Sequence, residues 1–596
     1  MIDSISARVI QGRLDQIASE MSANLIRMAF STIIKEMEDI GCAMVSHDGG
    51  HLSEAENTPL QLGQAAYIVE GILRLVQERG ETIKDGDLYI HNDPFSGSSH
   101  SPDVAFALPI FYQGELVAWA CNAAHHMDIG GAMAGSMIHT AQDVWADGLR
   151  FRALRIRENG IDNAQLWRMI GDNVRLSEYV TADMRAQVSA LELAAKRLVT
   201  LLDDVGVEQL RAAQAWQEDY AERMIRQQIA ALPDGEYRAE GVADGDLNSD
   251  NPAHKRIPIV ATVRVKGDSI EVDLTGTAPQ LEGGCAMNMP FEGTTCVVIM
   301  AVLRAALLDS ENFDGVPQNR GLMRAIDIAA PEGTFVNPSF PAATNLRHVP
   351  AFVLADTVLK ALAQVAPERC CAGISHLQMA IVGGLKDGKQ WSSFEFHEAA
   401  YGARADKDGV DTVDVIISNT RSSPAEEVDT SVPVRTVKWE LNTANLGHGK
   451  FRGGLSTVKT LEFLENDTWG NINMEGVSAK PWGLQGGGQG SEPKILHHTG
   501  EGGQDVRELP NINPYRMINA GERIELVGMN AAGYGSPLER EPQKVLDDYL
   551  DELISLEDVS EIYGVVLKED NVGGLIRRAE IDVEATGRLR KQRKSA

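Results

Sequence analysis

Two apolar runs, residues 104–111 and 116–121, flank a short polar bend, Tyr112-Gln113-Gly114-Glu115. Runs of this length around a Gly-containing turn predict an antiparallel hairpin. What sits at its open end makes the hairpin constraining. With the turn centred on Gly114, Asp103 and His125 each lie eleven residues away and face one another. A centre half a residue earlier shifts that pairing by one position only. Cross-strand neighbours hold their Cβ atoms about 5 Å apart, and His100 precedes Asp103 by three positions. The ribbon therefore delivers His100, Asp103 and His125 to one place. Imidazole mixed with carboxylate is the ligand set of a divalent metal ion such as zinc, manganese or iron.

Histidine is scarce elsewhere, at 14 in 596 residues, yet His91, His100, His125 and His126 all fall between 91 and 128, beside Asp93, Asp103 and Asp128. Taken singly, each has an ordinary structural reading. Loop histidines are often surface groups, and Asn92-Asp93-Pro94 is a turn sequence in which Asp93 caps. Side chains alternate along a strand, so His126 points to the other face or lies just past the strand end, as a substrate-contacting or ligand-supporting group. Asp128, followed by Gly130 and Gly131, reads equally as a loop cap. Asp39 stands at a helix-to-strand junction, where it caps or reaches into a site built by other elements. The trio His100, Asp103 and His125 is what favours ligation.

The net charge is −30, which argues against nucleic acid or an anionic membrane as the main partner. The one basic run, 588–594, reads as a frayed, solvated terminus. Six cysteines without a CxxC pair fit reduced thiols rather than a disulfide framework or a zinc ribbon. No stretch reaches the ~20 apolar residues that span a bilayer, and the first residues lack the apolar core of a signal peptide. The expected compartment is the cytoplasm.

Periodicity places an amphipathic helix from Ser4, its possible cap, to about Ile34, then a strand over 40–45. Long helical stripes run over 182–202 and 208–231 and stop at Leu232-Pro233-Asp234-Gly235. Beyond this point strands predominate (257–265, 269–274, 412–417, 434–441), with helices over 293–308 and 350–365. Residues 470–535 are rich in Gly, Pro and Asn and predict strands and loops. Helices follow over 541–553 and 555–563. The expected fold class is α+β: a helix-rich domain, 1–235, carrying the metal hairpin; a mixed region, 236–470; and a strand-and-loop region with C-terminal helices, 471–596. Two glycine-rich segments, 483–490 and 449–454, lack the Lys-Ser/Thr ending of a phosphate loop and lead into no evident helix. They read as tight turns or close backbone packing.

The segments HNDPFSGSSHSPDV (91–104) and AHHMDIGG (124–131) resemble the signature of the hydantoinase B/oxoprolinase family. The similarity extends through DVWADGLRFRALRI (143–156), NTRSSPAEE (419–427), GKFRGG (449–454), GYGSPLEREPQKVLDD (533–548) and IYGVVL (562–567), and so covers nearly the whole chain. The resemblance implies a metal-containing subunit whose partner, a hydantoinase A-type subunit, binds and uses ATP, in a hetero-oligomer such as a heterotetramer. It implies Asp39, His100, Asp103 and His125 as the metal ligands, and so adds Asp39 to the trio. It also implies a chemistry: the partner phosphorylates the carbonyl oxygen of a cyclic amide (hydantoin, oxoproline or lactam), and water opens the activated ring at the metal site, with His126 and Asp128 moving protons or orienting the ligands. The family's ketone carboxylases, of acetone or acetophenone type, share the ligand set, so an ATP-dependent carboxylase subunit is the alternative. A catalytically silent scaffold that carries no ion is a third reading.

Overall fold

The computed structural model describes residues 2–61, 63–308, 313, 315–396, 399–569 and 578–595. Helices and sheets are mixed. The N-terminal sheet has seven strands: β1 (Ile40–Ser46), β2 (His51–Glu54), β3 (Leu88–His91), β4 (Asp103–Tyr112), β5 (Glu115–His125), β6 (Leu154–Glu158) and β7 (Ile161–Asp162), in the order β2-β1-β5-β4-β3-β6-β7. Its centre is the expected hairpin, β4–β5. The turn residues Gln113 and Gly114 both have positive φ, 53° and 86°, the two-residue turn that matches strand twist. A bulge between Ile110 and Phe111 moves the register by one near the turn, and beyond it Asp103 pairs with His125.

Both faces of this sheet are covered, which is why β4 and β5 read as nearly unbroken apolar runs. The helix Gln64–Glu78 packs Ile68, Ile72 and Leu75 against Ala105, Ala107, Trp119 and Cys121. The helices Ser4–Met28 and Ser177–Val205 cover the opposite face, which carries Met44, Phe106 and Ala120. The first helix stops at Met28, short of the expected Ile34. The Asp183 carboxylate accepts the backbone N–H groups of Phe30 and Ser31 and draws the chain out of the helix. A separate turn of helix, Thr32–Lys35, then leads to β1. The cap at the start is Asp3, not Ser4.

A second sheet, β11-β10-β9-β8, comprises β8 (Gly235–Asp244), β9 (Arg256–Lys266), β10 (Ser269–Asp273) and β11 (Ile326–Ala329), and lies against the helix His348–Leu362. A third, β13-β12-β16-β19, contains β12 (Gln378–Lys386), β13 (Lys389–Phe396), β16 (Thr468–Met474) and β19 (Ile512–Ile518). The fourth, β14-β15-β20-β17-β18, contains β14 (Val434–Leu441), β15 (Thr457–Phe463), β17 (Lys494–Thr499), β18 (Asp505–Leu509) and β20 (Arg523–Val527). The last two sheets share one apolar core, and each takes strands from both sides of the expected boundary at 470, which falls inside β16.

Two local expectations need correction. Residues 412–417 form no strand: Thr412 has φ 48°, and the Asp414 carboxylate takes the N–H groups of Val415 and Thr420, a local alternative to ladder pairing. The basic tail is no loose coil, because Val583–Lys594 is a helix. Arg590 donates to the carbonyls of Tyr563 and Arg540, and Arg593 pairs with Glu561. The glycine-rich segments are packed backbone, as expected. A Cβ on Gly487 would lie 2.0 Å from the Gly533 carbonyl oxygen, and one on Gly453 2.1 Å from that of Ala531. Among the described residues no helix is long and apolar enough to cross a membrane.

Candidate metal centre

The site forms where β1, β4 and β5 end together. Residues of one parity on β4 and β5 face the helix Gln64–Glu78, and Asp103 and His125 are the last of that parity. Asp39 precedes β1, and its carbonyl accepts the His125 N–H at 3.1 Å. His100 comes from the loop before β4. That loop is clamped by close approaches: a Cβ on Gly71 would lie 1.8 Å from the Ser96 carbonyl oxygen, and one on Gly293 2.0 Å from that of Ser98.

One donor atom from each of His100, Asp103 and His125 lies within 4.8 Å of the others. His100 Nε2 is 3.1 Å and His125 Nδ1 3.0 Å from Asp103 Oδ1. Asp39 stands at the edge of the trio, its Oδ2 3.8 Å from His125 Nδ1. Its other oxygen accepts from Gln61 Nε2 at 3.2 Å. Asp39, Gln61, His100 and His125, with Arg347 and His348, line a small cavity of ≈ 30 Å³, and Asp103 stands behind the two imidazoles.

The donor set fits a divalent ion. His100 Nδ1 bonds the Asn345 carbonyl at 2.8 Å, so Nδ1 carries the proton and the Nε2 lone pair faces the Asp103 carboxylate, as in metal-ligating histidines whose other ring nitrogen donates to a carbonyl. His100 Nε2 and His125 Nε2 are buried and hydrogen-bond to nothing among the described residues. Burial pushes the His100 pKa down to about 4, which keeps the ring neutral. Burial would raise Asp103, but its contacts with His100, His125 and Arg347 outweigh this and hold it well below the usual carboxylate range. Arg347 Nη2 donates to Asp103 Oδ2 at 2.8 Å, and Ser99 Oγ donates to the same oxygen. Burial raises Asp39, and the Asp103 charge adds to the rise. A cation between the two carboxylates relieves that repulsion.

The other expected residues lie elsewhere. His126 occupies the opposite face of the sheet, where Nε2 meets Gln187 Oε1 at 3.0 Å. Asp128 caps a loop, accepting from the N–H groups of Gly130, Gly135 and Arg175 and from the Arg175 guanidinium. Neither lines the cavity, and each is engaged by partners of its own, Gln187 for His126 and Arg175 for Asp128. Strand alternation separates His126, and the Gly130–Gly135 loop takes Asp128. His91 and Asp93 are also structural: His91 bonds Ser96 and Ala153, while Asp93 caps residues 94–96 and pairs with Arg152. The residues sequence reasoning missed are Gln61, Asn345, Arg347 and His348. Of these only His348 carried a signal, as one of the few histidines, beside an arginine at the start of a helix.

The hairpin end of this mixed α+β chain thus gathers imidazoles and carboxylates into a buried donor set of the kind that could hold a metal ion. The hydantoinase B/oxoprolinase family model matches residues 3–537, and the chain belongs to that family. It is 40% identical over 592 residues to the B component of a putative D-/L-hydantoinase of Pseudomonas sp. (strain NS671), covering 99% of this chain and 98% of that one. It is 28% identical over 578 residues to the beta component of the caprolactamase of Pseudomonas jessenii, covering 95% and 96%. The structure of the ATP-dependent caprolactamase of that organism superposes with a TM-score of 0.86 at 26% identity, over 99% of this chain and 100% of that one. Acetone carboxylase shares the fold, with a TM-score of 0.88 at 19% identity over 100% and 83%.

Proposed function

We propose that this chain is the metal-bearing subunit of an ATP-dependent enzyme that opens a cyclic amide, acting after an A-type partner has phosphorylated the amide oxygen. The observation that carries the reading is the convergence of donor atoms from three buried residues, His100, Asp103 and His125, within 4.8 Å. The hydantoinase and caprolactamase relatives, each named as one subunit of its enzyme, support both the amide chemistry and the presence of other subunits. Six free, buried cysteines support a reducing compartment such as the cytoplasm.

In this reading Asp39, His100, Asp103 and His125 hold the ion. When bound, a zinc, manganese or iron ion supplies a Lewis acid that brings the pKa of water towards neutrality. The chain's own residues prepare that chemistry. The Asn345 carbonyl fixes the His100 tautomer, Gln61 holds the Asp39 carboxylate, and Arg347 with Ser99 keeps Asp103 ionised and oriented. Activation by ATP answers the weak electrophilicity of an unstrained cyclic amide.

The test is metal content and turnover in the assembled complex. The purified complex should contain one divalent ion per copy of this chain, and His100→Ala or His125→Ala should lose both the ion and ATP-dependent ring opening while retaining the circular-dichroism spectrum. Full turnover by a metal-free His125→Ala complex rejects the assignment. Incorporation of labelled bicarbonate into product, without ring opening, establishes the carboxylase alternative instead.

A further inference from the structure

A cleft of ≈ 680 Å³ lies beside the metal cavity and shares Leu377, Phe396 and Thr420 with it. One wall is the face of β14 and β15 that carries Trp439, Leu441 and Thr457; Leu441 pairs with Thr457 and Trp439 with Lys459. The other wall belongs to the irregular segment 412–421. Lys459 Nζ stands 4.2 Å from the centroid of the Trp439 ring and 2.7 Å from Glu395 Oε2, in an ion pair whose side chains are 1% and 2% exposed. Burying such a pair is costly. Its position against the indole fixes Trp439 at the cleft wall.

Away from the ion that the proposed function places in the cavity, acidic side chains outnumber basic ones around this space. Among the described residues, the cations lining cleft and cavity are Arg347, buried against Asp103 at 2.8 Å, and Arg421, an exposed side chain paired with Glu38 at 2.7 Å. Asp39, Asp414 and Glu440 also line it. An anionic ligand would share Arg421 with Glu38 and lie among carboxylates, while an apolar group gains the indole, Leu441 and Phe396.

We propose that this cleft is the subsite for an apolar substituent of the substrate, so that the enzyme selects an uncharged cyclic amide bearing an apolar group over one bearing a carboxylate. The inference rests on the function proposed above for the adjoining cavity. Trp439 is the specificity-determining residue, presenting a rigid aromatic surface to the substituent.

The test uses the metal-loaded complex with its partner subunit. Calorimetry without ATP compares 5-benzylhydantoin with 5-oxoproline. The benzyl compound should bind more tightly by roughly tenfold or more, the scale of a hydrophobic subsite. Trp439→Ala should remove most of that advantage with metal content unchanged, and Trp439→Phe should keep it. Leu441→Arg, at an exposed position, should shift preference towards oxoproline, and it stands in if Trp439→Ala does not fold. Equal binding of the two compounds, no binding of either, or an ineffective Trp439→Ala in a folded complex overturns the proposal. A retained binding preference without ATP-dependent ring opening supports the cleft assignment and removes the amide-hydrolase reading.

Discussion

At the scale of single residues, the buried polar groups around the site have distinct tasks. Asp103 is the shared point: both imidazoles, Arg347 and Ser99 meet its carboxylate. Asp147, one step outward, supports the frame behind His100. Its carboxylate accepts the Thr344 N–H at 2.8 Å, and its carbonyl accepts from Asn345 Nδ2 at 2.8 Å. Burial pushes its pKa from 3.8 to about 8. A carboxyl raised on folding binds its proton more tightly in the native state, so its contribution is complete below pH 3.8, falls as pH rises and is gone above about 8. The thermal midpoint of wild type should therefore fall relative to Asp147→Asn between pH 5 and 8, by up to roughly 1.4 kcal/mol of stability per pH unit. Differential scanning of the two proteins across that range measures it, and a pH-independent gap between them counts against the ionisation.

At the scale of elements, the site depends on a loop held by backbone approach rather than by side-chain bonds alone. The helix Gln64–Glu78 rests on the loop before β4 through Gly71, where an added methyl would lie 1.8 Å from Ser96 O. Main chain cannot yield cheaply at that distance, and overpacking of this kind typically costs about 1–3 kcal/mol. Gly71→Ala should therefore lower the thermal midpoint and also weaken metal retention, because His100 lies four residues beyond Ser96 in the displaced loop. Titration of the apo protein with zinc reads the second effect. Loss of stability with undiminished zinc affinity would uncouple loop and site. The hairpin was legible from its flanking runs and turn, since local pairing depends on residues close in sequence. The ending of the first helix was not, because Asp183, more than 150 residues away, accepts the N–H groups that follow it.

At the scale of the molecule, the C-terminal helices are locked to the rest through Arg540. Its guanidinium is 1% exposed and bonds Asp408 and Asp548 with both prongs. Its carbonyl accepts from Arg590 of the terminal helix. Removing one partner of a buried charge network leaves uncompensated charge, at a cost of roughly 3–5 kcal/mol. Arg540→Met should thus lower the thermal midpoint markedly and speed proteolysis near the C-terminus, with the metal centre still able to bind zinc. An unaltered protease pattern would mean the helices are held by their apolar contacts instead. The basic tail was misread for the same reason that Arg540 went unnoticed: a charge reads as solvated until its distant partners are placed.

The sequence by itself determined the α+β character, the hairpin, the facing of Asp103 with His125, and the turning away of His126, because strand alternation and turn geometry are local. Tertiary structure alone decided that Arg347 and His348, more than 200 residues from β4, line the cavity, that Asn345 holds His100, and that Trp439 walls the cleft beside it. Those contacts join segments remote in the chain, and what brings them together is burial of a shared core.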